Sequence, residues 1–231
     1  MRVLITGAGL VGCHTAKELT LKGHNVWLYD VSPNPRYVEA IAEKKGVRVV
    51  QGDLLDLPAL LRALKAAKPD VVVHTGGFIG SQVANPPYRG IQTNILGSTH
   101  VFEACQLSGV RRVVHISTFG VYDWENIRRG PIKENFPRWG RSFYHTTKIA
   151  NELLLGAYEN HYGFEAVVIR PAHPPRSLPV EESPQLLSPI SVGERLERLS
   201  RTQPAVWFLG LIREATLISG TAARARSGRP R

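Results

Sequence analysis

Over the first 170 residues, short apolar runs alternate with longer amphipathic stretches. Residues 2–6 carry a short apolar run, Val3 to Ile5, and lead into glycine, which predicts a strand buried on both faces. A helix is expected from there through about Lys22, closed by Gly23. Residues 25–30 predict the second strand, 37–45 a helix ended by Gly46, and 47–51 the third strand. Asp56 is placed to cap a helix over 58–68, whose first turn carries Pro58. The run 71–74 predicts a fourth strand. A loop with glycine and proline then leads to one long helix, about 88–108. Residues 112–117 predict the fifth strand, about 142–162 a second long helix, and 165–170 the sixth strand.

Repeated strand–helix units imply parallel strands joined by right-handed crossovers. After Arg170 the pattern stops. Prolines recur at 171, 174, 175, 179, 184, 189 and 204, and all lysines lie at or before Lys148. One weak helical segment is expected over 192–200, without a second core, in loosely packed or partly disordered chain. Two regions follow: an ordered unit over 1–171 and an irregular tail over 172–231.

The first strand ends in Gly7-Ala8-Gly9-Leu10-Val11-Gly12, a GxGxxG turn that opens a helix. Gly7 permits the tight turn and Gly9 lets backbone approach a pyrophosphate. Gly12 lets the helix pack closely on the strand. The unpaired N–H groups of the helix start, Leu10 and Val11 among them, then face the anion. With this fingerprint the unit is expected to be a doubly wound α/β Rossmann sheet, mostly parallel, in strand order 3-2-1-4-5-6. Asp30 ends the second strand, eighteen positions after Gly12. A carboxylate there accepts from a ribose 2′-OH and repels a 2′-phosphate, favouring NAD over NADP. Arg36 nearby softens that preference. Asp53, by its spacing alone, reads as a turn or cap residue.

Tyr144 and Lys148 lie four apart on one expected helix and share a face. A lysine ammonium beside a phenol favours the phenolate and lowers its pKa toward working pH. The phenolate can then take a proton from a hydroxyl while a hydride leaves carbon. Ser117 or Thr118, at the end of the fifth strand, offers a hydrogen bond to the same oxygen.

The sequence resembles the extended short-chain dehydrogenases/reductases of the NAD-dependent epimerase/dehydratase family, in its UDP-glucose 4-epimerase-like form. The matching pieces are residues 4–12, Asp30, Gly52-Asp53-Leu54, Asn94-Ile95-Leu96-Gly97-Ser98, residues 116–122, Tyr144 to Lys148 and Arg170-Pro171. The resemblance implies that Asp53 and Leu54 flank adenine, and that Thr75, Gly76 and Gly77 line the cofactor cleft. It implies that Asn94 supports the active-site end, that Ser117 borders the cofactor, and that Thr118 is the catalytic hydroxyl. It further implies a homodimer through helices 88–108 and 142–162. The expected function is NAD-dependent epimerisation or oxidoreduction at a hydroxyl or keto carbon of a nucleotide-sugar-like substrate. Tyr144 acts as the base, with Lys148 tuning it and holding the nicotinamide ribose. The family's dehydratases carry an acidic pair after the catalytic threonine; Phe119-Gly120 stands there instead, which disfavours dehydration. Past Arg170-Pro171 the family's Asn and its substrate domain are missing, with His173 at the Asn position. The remainder reads as a truncated or frame-shifted end. The alternative is therefore a non-catalytic or defective dinucleotide-binding protein.

Charge changes this picture little. The net charge is +10, but the basic residues are scattered singly or in pairs, so nucleic acid is not an expected partner. The apolar run 205–212 is far shorter than the roughly 20 residues that span a bilayer. Cys13 and Cys105 form no CxxC pair and the histidines show no metal-ligand spacing, so no metal is expected. With a strand starting at Arg2 and no leader before it, the protein is expected to be cytoplasmic.

Overall fold

A computed structural model of the chain describes residues 1–42, 46–126 and 132–171. The expectations for residues 43–45 and for the tail 172–231, including the helix over 192–200, lie outside the described residues. Six strands form one parallel sheet: β1 (Arg2–Thr6), β2 (Asn25–Asp30), β3 (Val47–Gln51), β4 (Val71–His74), β5 (Arg112–Ile116) and β6 (Glu165–Ile169). Their order is β3-β2-β1-β4-β5-β6. This is the doubly wound order that the glycine fingerprint predicts.

The central strands β4 and β5 are buried at every position, whereas the edge strand β3 is largely exposed. Side chains alternate between the two faces of the sheet. Val3, Ile5, Val26, Leu28, Val71 and Val73 pack on one face against Cys13, Ala16 and Leu19 of helix α1 (Leu10–Leu21). Helix α2 (Pro35–Ala42) adds Val38 to this face. Leu4, Tyr29, Val72 and Val113 pack on the other face. They meet Leu60 and Leu64 of helix α3 (Leu57–Ala67), Val101 and Phe102 of a later helix, and Leu155. Asp56 caps α3, its carboxylate accepting from Ala59 N at 2.9 Å. Both cysteines are buried and free.

The long helix expected over 88–108 is interrupted. Short helices α4 (Ser81–Ala84) and α5 (Pro87–Ile91) precede a π-helical turn at Gln92–Leu96, and helix α6 (Gly97–Leu107) follows. The turn offers the Asn94 carbonyl to side chains: it accepts from Ser98 Oγ at 2.5 Å and from Asn151 Nδ2 at 2.8 Å. Single-turn π-bulges of this kind gather at functional sites. Helix α7 (Phe143–Tyr162) starts at Ser142, whose hydroxyl accepts from His145 N. No helix among the described residues is long and apolar enough to cross a membrane.

Candidate active site

The carboxyl ends of β1, β2, β4 and β5 converge at the point where the strand order reverses, between β1 and β4. Ligands of open α/β sheets bind in that crevice. Gly7 turns there with φ +89°, a conformation open to glycine, and its N–H donates to Tyr29 O at 2.7 Å. A Cβ on Gly12 would lie 1.8 Å from the Gly7 carbonyl oxygen, so only glycine lets α1 sit this close. A Cβ on Gly9 would meet nothing within 4 Å. Neither the protein's packing nor its backbone conformation requires glycine at that position. No side chain caps the start of α1, and no acidic residue occupies its first turn. Its first N–H groups are thus left for an anion.

Asp30 braces this turn, accepting from Ala8 N and Ser32 N, each at 2.8 Å. Each carboxylate oxygen retains further acceptor capacity. Thr75 Oγ1 donates to Thr6 O at 2.7 Å, which pins β4 to β1 below the glycines. Leu54 lies over Gly76, where a Cβ would come 3.0 Å from Leu54 Cδ1. Tyr29 Oη donates to Asp53 O at 2.9 Å and holds the β3 turn against the site. The structure thus brings residues 7–12, Asp30, Asp53, Leu54 and Thr75 to Gly77 to one crevice. Asn94 is buried behind Gly77; its side chain donates to Phe78 O and Thr147 Oγ1 and accepts from Phe78 N.

Helix α7 lies against the Phe119–Val121 turn and carries Tyr144 and Lys148 to the β5 end of the crevice. Thr118 Oγ1 accepts from Gly120 N at 3.2 Å, which leaves its O–H uncommitted among the described residues. Lys148 is buried; its Nζ donates to Ile116 O at 2.8 Å and lies 5.9 Å from the Tyr144 ring centre. The phenol lowering expected from the Tyr–Lys spacing is not what the protein groups produce. Burial raises the Tyr144 pKa, while the Lys148 ammonium is hydrogen-bonded to the Ile116 carbonyl. Burial also lowers Lys148 from 10.5 to about 8, against the opposing pull of Glu152.

A depressed lysine pKa means stability present above the unfolded value and lost as pH falls through the folded one. Compared with Lys148→Met, the native chain should therefore gain roughly 1–2 kcal/mol of stability between about pH 8 and pH 10. Urea unfolding of both proteins across that window checks this; parallel curves would count against a lysine held in this state.

Ser117 does not border the crevice with a free hydroxyl. It is buried, and its Oγ donates to Glu152 Oε1 at 2.5 Å. Glu152, one turn past Lys148, was not legible in the sequence as a site residue. Its carboxylate also takes a bidentate pair from Arg170, at 2.9 and 2.8 Å, and a bond from Arg138 at 2.9 Å. Burial alone would raise its pKa, yet the hydrogen bonds from Arg170, Ser117 and Arg138 hold it below the usual carboxylate range. One carboxylate thus joins the ends of β5 and β6 to α7. Glu152→Ala removes the carboxylate from two guanidiniums, of which Arg170 keeps its bonds to Tyr122 Oη and Glu134 O, and denaturant unfolding should show a loss of about 2 kcal/mol.

Another buried network was also missed. Ser98 spends its only proton on Asn94 O, so it accepts from Asn151 Nδ2 at 2.9 Å and from His74 Nε2 at 2.8 Å. His74 Nδ1 must then accept from Thr6 Oγ1, at 2.6 Å. Burial pushes the His74 pKa down to about 3, which keeps the ring neutral in this chain of bonds. The network links β1, beneath the glycine turn, to the π-helical turn and α7. Its only sequence signal was a histidine in an otherwise apolar strand.

A profile described as the NAD dependent epimerase/dehydratase family matches residues 3–175. UDP-glucose 4-epimerase of Mycolicibacterium smegmatis is 32% identical over 179 residues, covering 75% of this chain and 56% of the relative. A dTDP-glucose 4,6-dehydratase of Mycobacterium tuberculosis is 32% identical over 176 residues, covering 73% and 52%. Among solved structures, Thermus thermophilus UDP-glucose 4-epimerase in complex with NAD aligns with a TM-score of 0.66 at 30% identity. That alignment covers 74% of this chain and 54% of the Thermus chain. The chain therefore spans about half the length of the relatives it matches. Sheet order, glycine turn and family profile agree over the same residues, and the chain belongs to the NAD-dependent epimerase/dehydratase family.

Proposed function

We propose that this chain binds NAD in the crevice between β1 and β4 and carries the catalytic residues of an epimerase or oxidoreductase. The substrate is a nucleotide sugar, reacting at a hydroxyl or keto carbon. The observation that carries the reading is the space at Gly9 before an uncapped helix start, with Asp30 beside it. A pyrophosphate fits that space, and a ribose diol fits the remaining acceptor capacity of Asp30. Asp30 disfavours a 2′-phosphate, so NADP is the weaker ligand. Asp53 and Leu54 flank the adenine in this reading, and Thr75, Gly76, Gly77 and Asn94 line the way to the nicotinamide end.

When bound, the nicotinamide supplies the acceptor, and on return the donor, of a hydride. Thr118 donates its free O–H to the substrate oxygen. Tyr144 Oη takes the hydroxyl proton in the oxidising direction and returns it in the reducing direction. Lys148, fixed by the Ile116 carbonyl, places its positive charge beneath the Tyr144 ring and beside the nicotinamide ribose. Phe119 and Gly120 give no carboxylate for the proton transfers of water elimination, which favours epimerisation or simple oxidoreduction over dehydration.

The same reading includes a homodimer through the two helical runs, 88–108 and 142–162, on which Tyr88, Leu96 and Leu153 are exposed. Two buried free cysteines suit the reducing cytoplasm, where we place the protein. The function is tested by adding a panel of UDP-sugars to the NAD-loaded chain and following absorbance at 340 nm and the sugar products. Product formation supports the reading. NAD binding without turnover of any sugar supports instead a dinucleotide-binding protein without catalysis.

A further inference from the structure

Ser117 and Thr118 follow one another where β5 ends, and Thr118 is the one given a part in the reaction. Ile116, the last residue of β5, gives its carbonyl to Lys148 Nζ at 2.8 Å. Ser117, the next residue, donates its hydroxyl to Glu152 Oε1 at 2.5 Å. Lys148 and Glu152 are four apart on α7 and share a face of the helix, as Tyr144 and Lys148 do. Two consecutive residues of the strand end are therefore held by two consecutive turns of the helix. One bond would leave a pivot. Two bonds fix the rotation of α7 and its slide along β5.

Glu152 also reaches the Thr118 turn from its other end. Arg170, directly after β6, pairs with both Glu152 oxygens, and its Nη1 donates to Tyr122 Oη at 2.7 Å. Tyr122 closes the Phe119–Val121 turn, its N–H donating to Phe119 O at 3.1 Å. The turn that follows Thr118 is thus tied to one carboxylate through Ser117 before it and through Arg170 and Tyr122 after it. Arg138 completes the set; both Glu152 oxygens are taken and the residue is buried, so it acts on the reaction through other residues. Its charge also acts on Lys148. Around that ammonium, burial keeps His74 of β4 and His115 of β5 neutral and leaves Tyr144 a neutral phenol, and Glu152 is the anion that opposes the cost of burying the lysine.

We propose that Glu152 is a positioning residue for the reaction: it holds the Thr118 turn in register with α7, so that Thr118 and Tyr144 meet the same oxygen, and it keeps Lys148 charged beside them. This deepens the function proposed above and rests on it. Register matters because a displacement of about 1 Å between reacting groups is enough to cost a large part of the rate.

Two variants of the full chain separate the two effects, each checked first for a folded thermal transition. Ser117→Ala removes the link and leaves every charge in place. Loaded with NAD and given the UDP-sugar that the panel identifies, it should lose about tenfold in kcat, while KM for the sugar and affinity for NAD stay within about twofold. Glu152→Gln keeps the size of the side chain and an acceptor for Ser117 but removes the charge. The Lys148 Cε–Hε resonance, assigned by its loss in Lys148→Met and followed by NMR without sugar or NAD, should then titrate about one pH unit below its midpoint in the native chain. A brace that served stability alone would lower both melting temperatures and leave kcat and the lysine midpoint unmoved, and that result overturns the proposal. If Glu152→Gln does not fold, the kcat of Ser117→Ala decides. If no sugar turns over, the function proposed above fails, and the lysine titration, which needs no substrate, still decides the role of Glu152: a lowered midpoint supports it and an unmoved one overturns it.

Discussion

Gly9→Ala should weaken NAD binding roughly hundredfold while the protein stays folded, because the added methyl fills space that a pyrophosphate needs. Nothing in the protein touches a Cβ at that position, and the backbone there is extended, with φ −81°. The exchange at this helix cap should cost about 1 kcal/mol or less, a shift of a few degrees in Tm. Gly12→Ala should behave in the opposite way. Its methyl would drive into the Gly7 carbonyl 1.8 Å away, and backbone on both sides cannot yield as a side-chain end can. More than about 3 kcal/mol of stability should be lost, enough to unfold much of a marginal domain. Calorimetric titration with NAD and thermal melts of both variants separate the two effects. Equal affinity in Gly9→Ala and the native chain would mean that the open space holds nothing.

Tyr144→Phe should abolish turnover, lowering kcat about a thousandfold or more, while NAD affinity stays within about tenfold. The phenyl ring keeps the packing of the half-buried tyrosine and loses only the hydroxyl that moves the proton. Raised by burial, Tyr144 is a neutral phenol at neutral pH. The rate in the oxidising direction should therefore climb with pH on the alkaline side, until the proton on Tyr144 is lost. The test is the rate of the native chain and of the phenylalanine variant with whichever UDP-sugar the panel identifies, measured from pH 6 to pH 10. Retained turnover in Tyr144→Phe would remove the tyrosine from the chemistry.

Much of this architecture was legible in the sequence because a parallel sheet buries its strands on both faces. The runs at Val3, Val71 and Val113 are unbroken by charge for that reason, and glycine or a cap residue closes each neighbouring helix. The glycine turn was legible because its glycines answer to backbone geometry and close approach, which few other residues satisfy. Two kinds of feature escaped. The π-helical turn at Gln92–Leu96 leaves the helical period almost intact, so residues 88–108 read as one helix; the Asn94 carbonyl in it accepts from Ser98 in the same run and from Asn151 of α7, a partner that only folding supplies. Glu152 looked like any polar residue of an amphipathic helix. Only folding brings Arg138 and Arg170 onto it, and so assigns Ser117 to that carboxylate. The Tyr–Lys spacing correctly puts both residues on α7, but spacing carries no information on where the ammonium points.

Residues 7–12 and Asp30 form the proposed site for NAD. Equilibrium titration of the full chain with NAD and with NADP, at one fixed pH and ionic strength, tests it most directly. Saturable binding of NAD with one site per chain, and clearly weaker binding of NADP, is the expected result. Asp30→Ala should narrow the gap between the two. No saturable binding of either dinucleotide, or NADP preferred over NAD by the native chain, would contradict it.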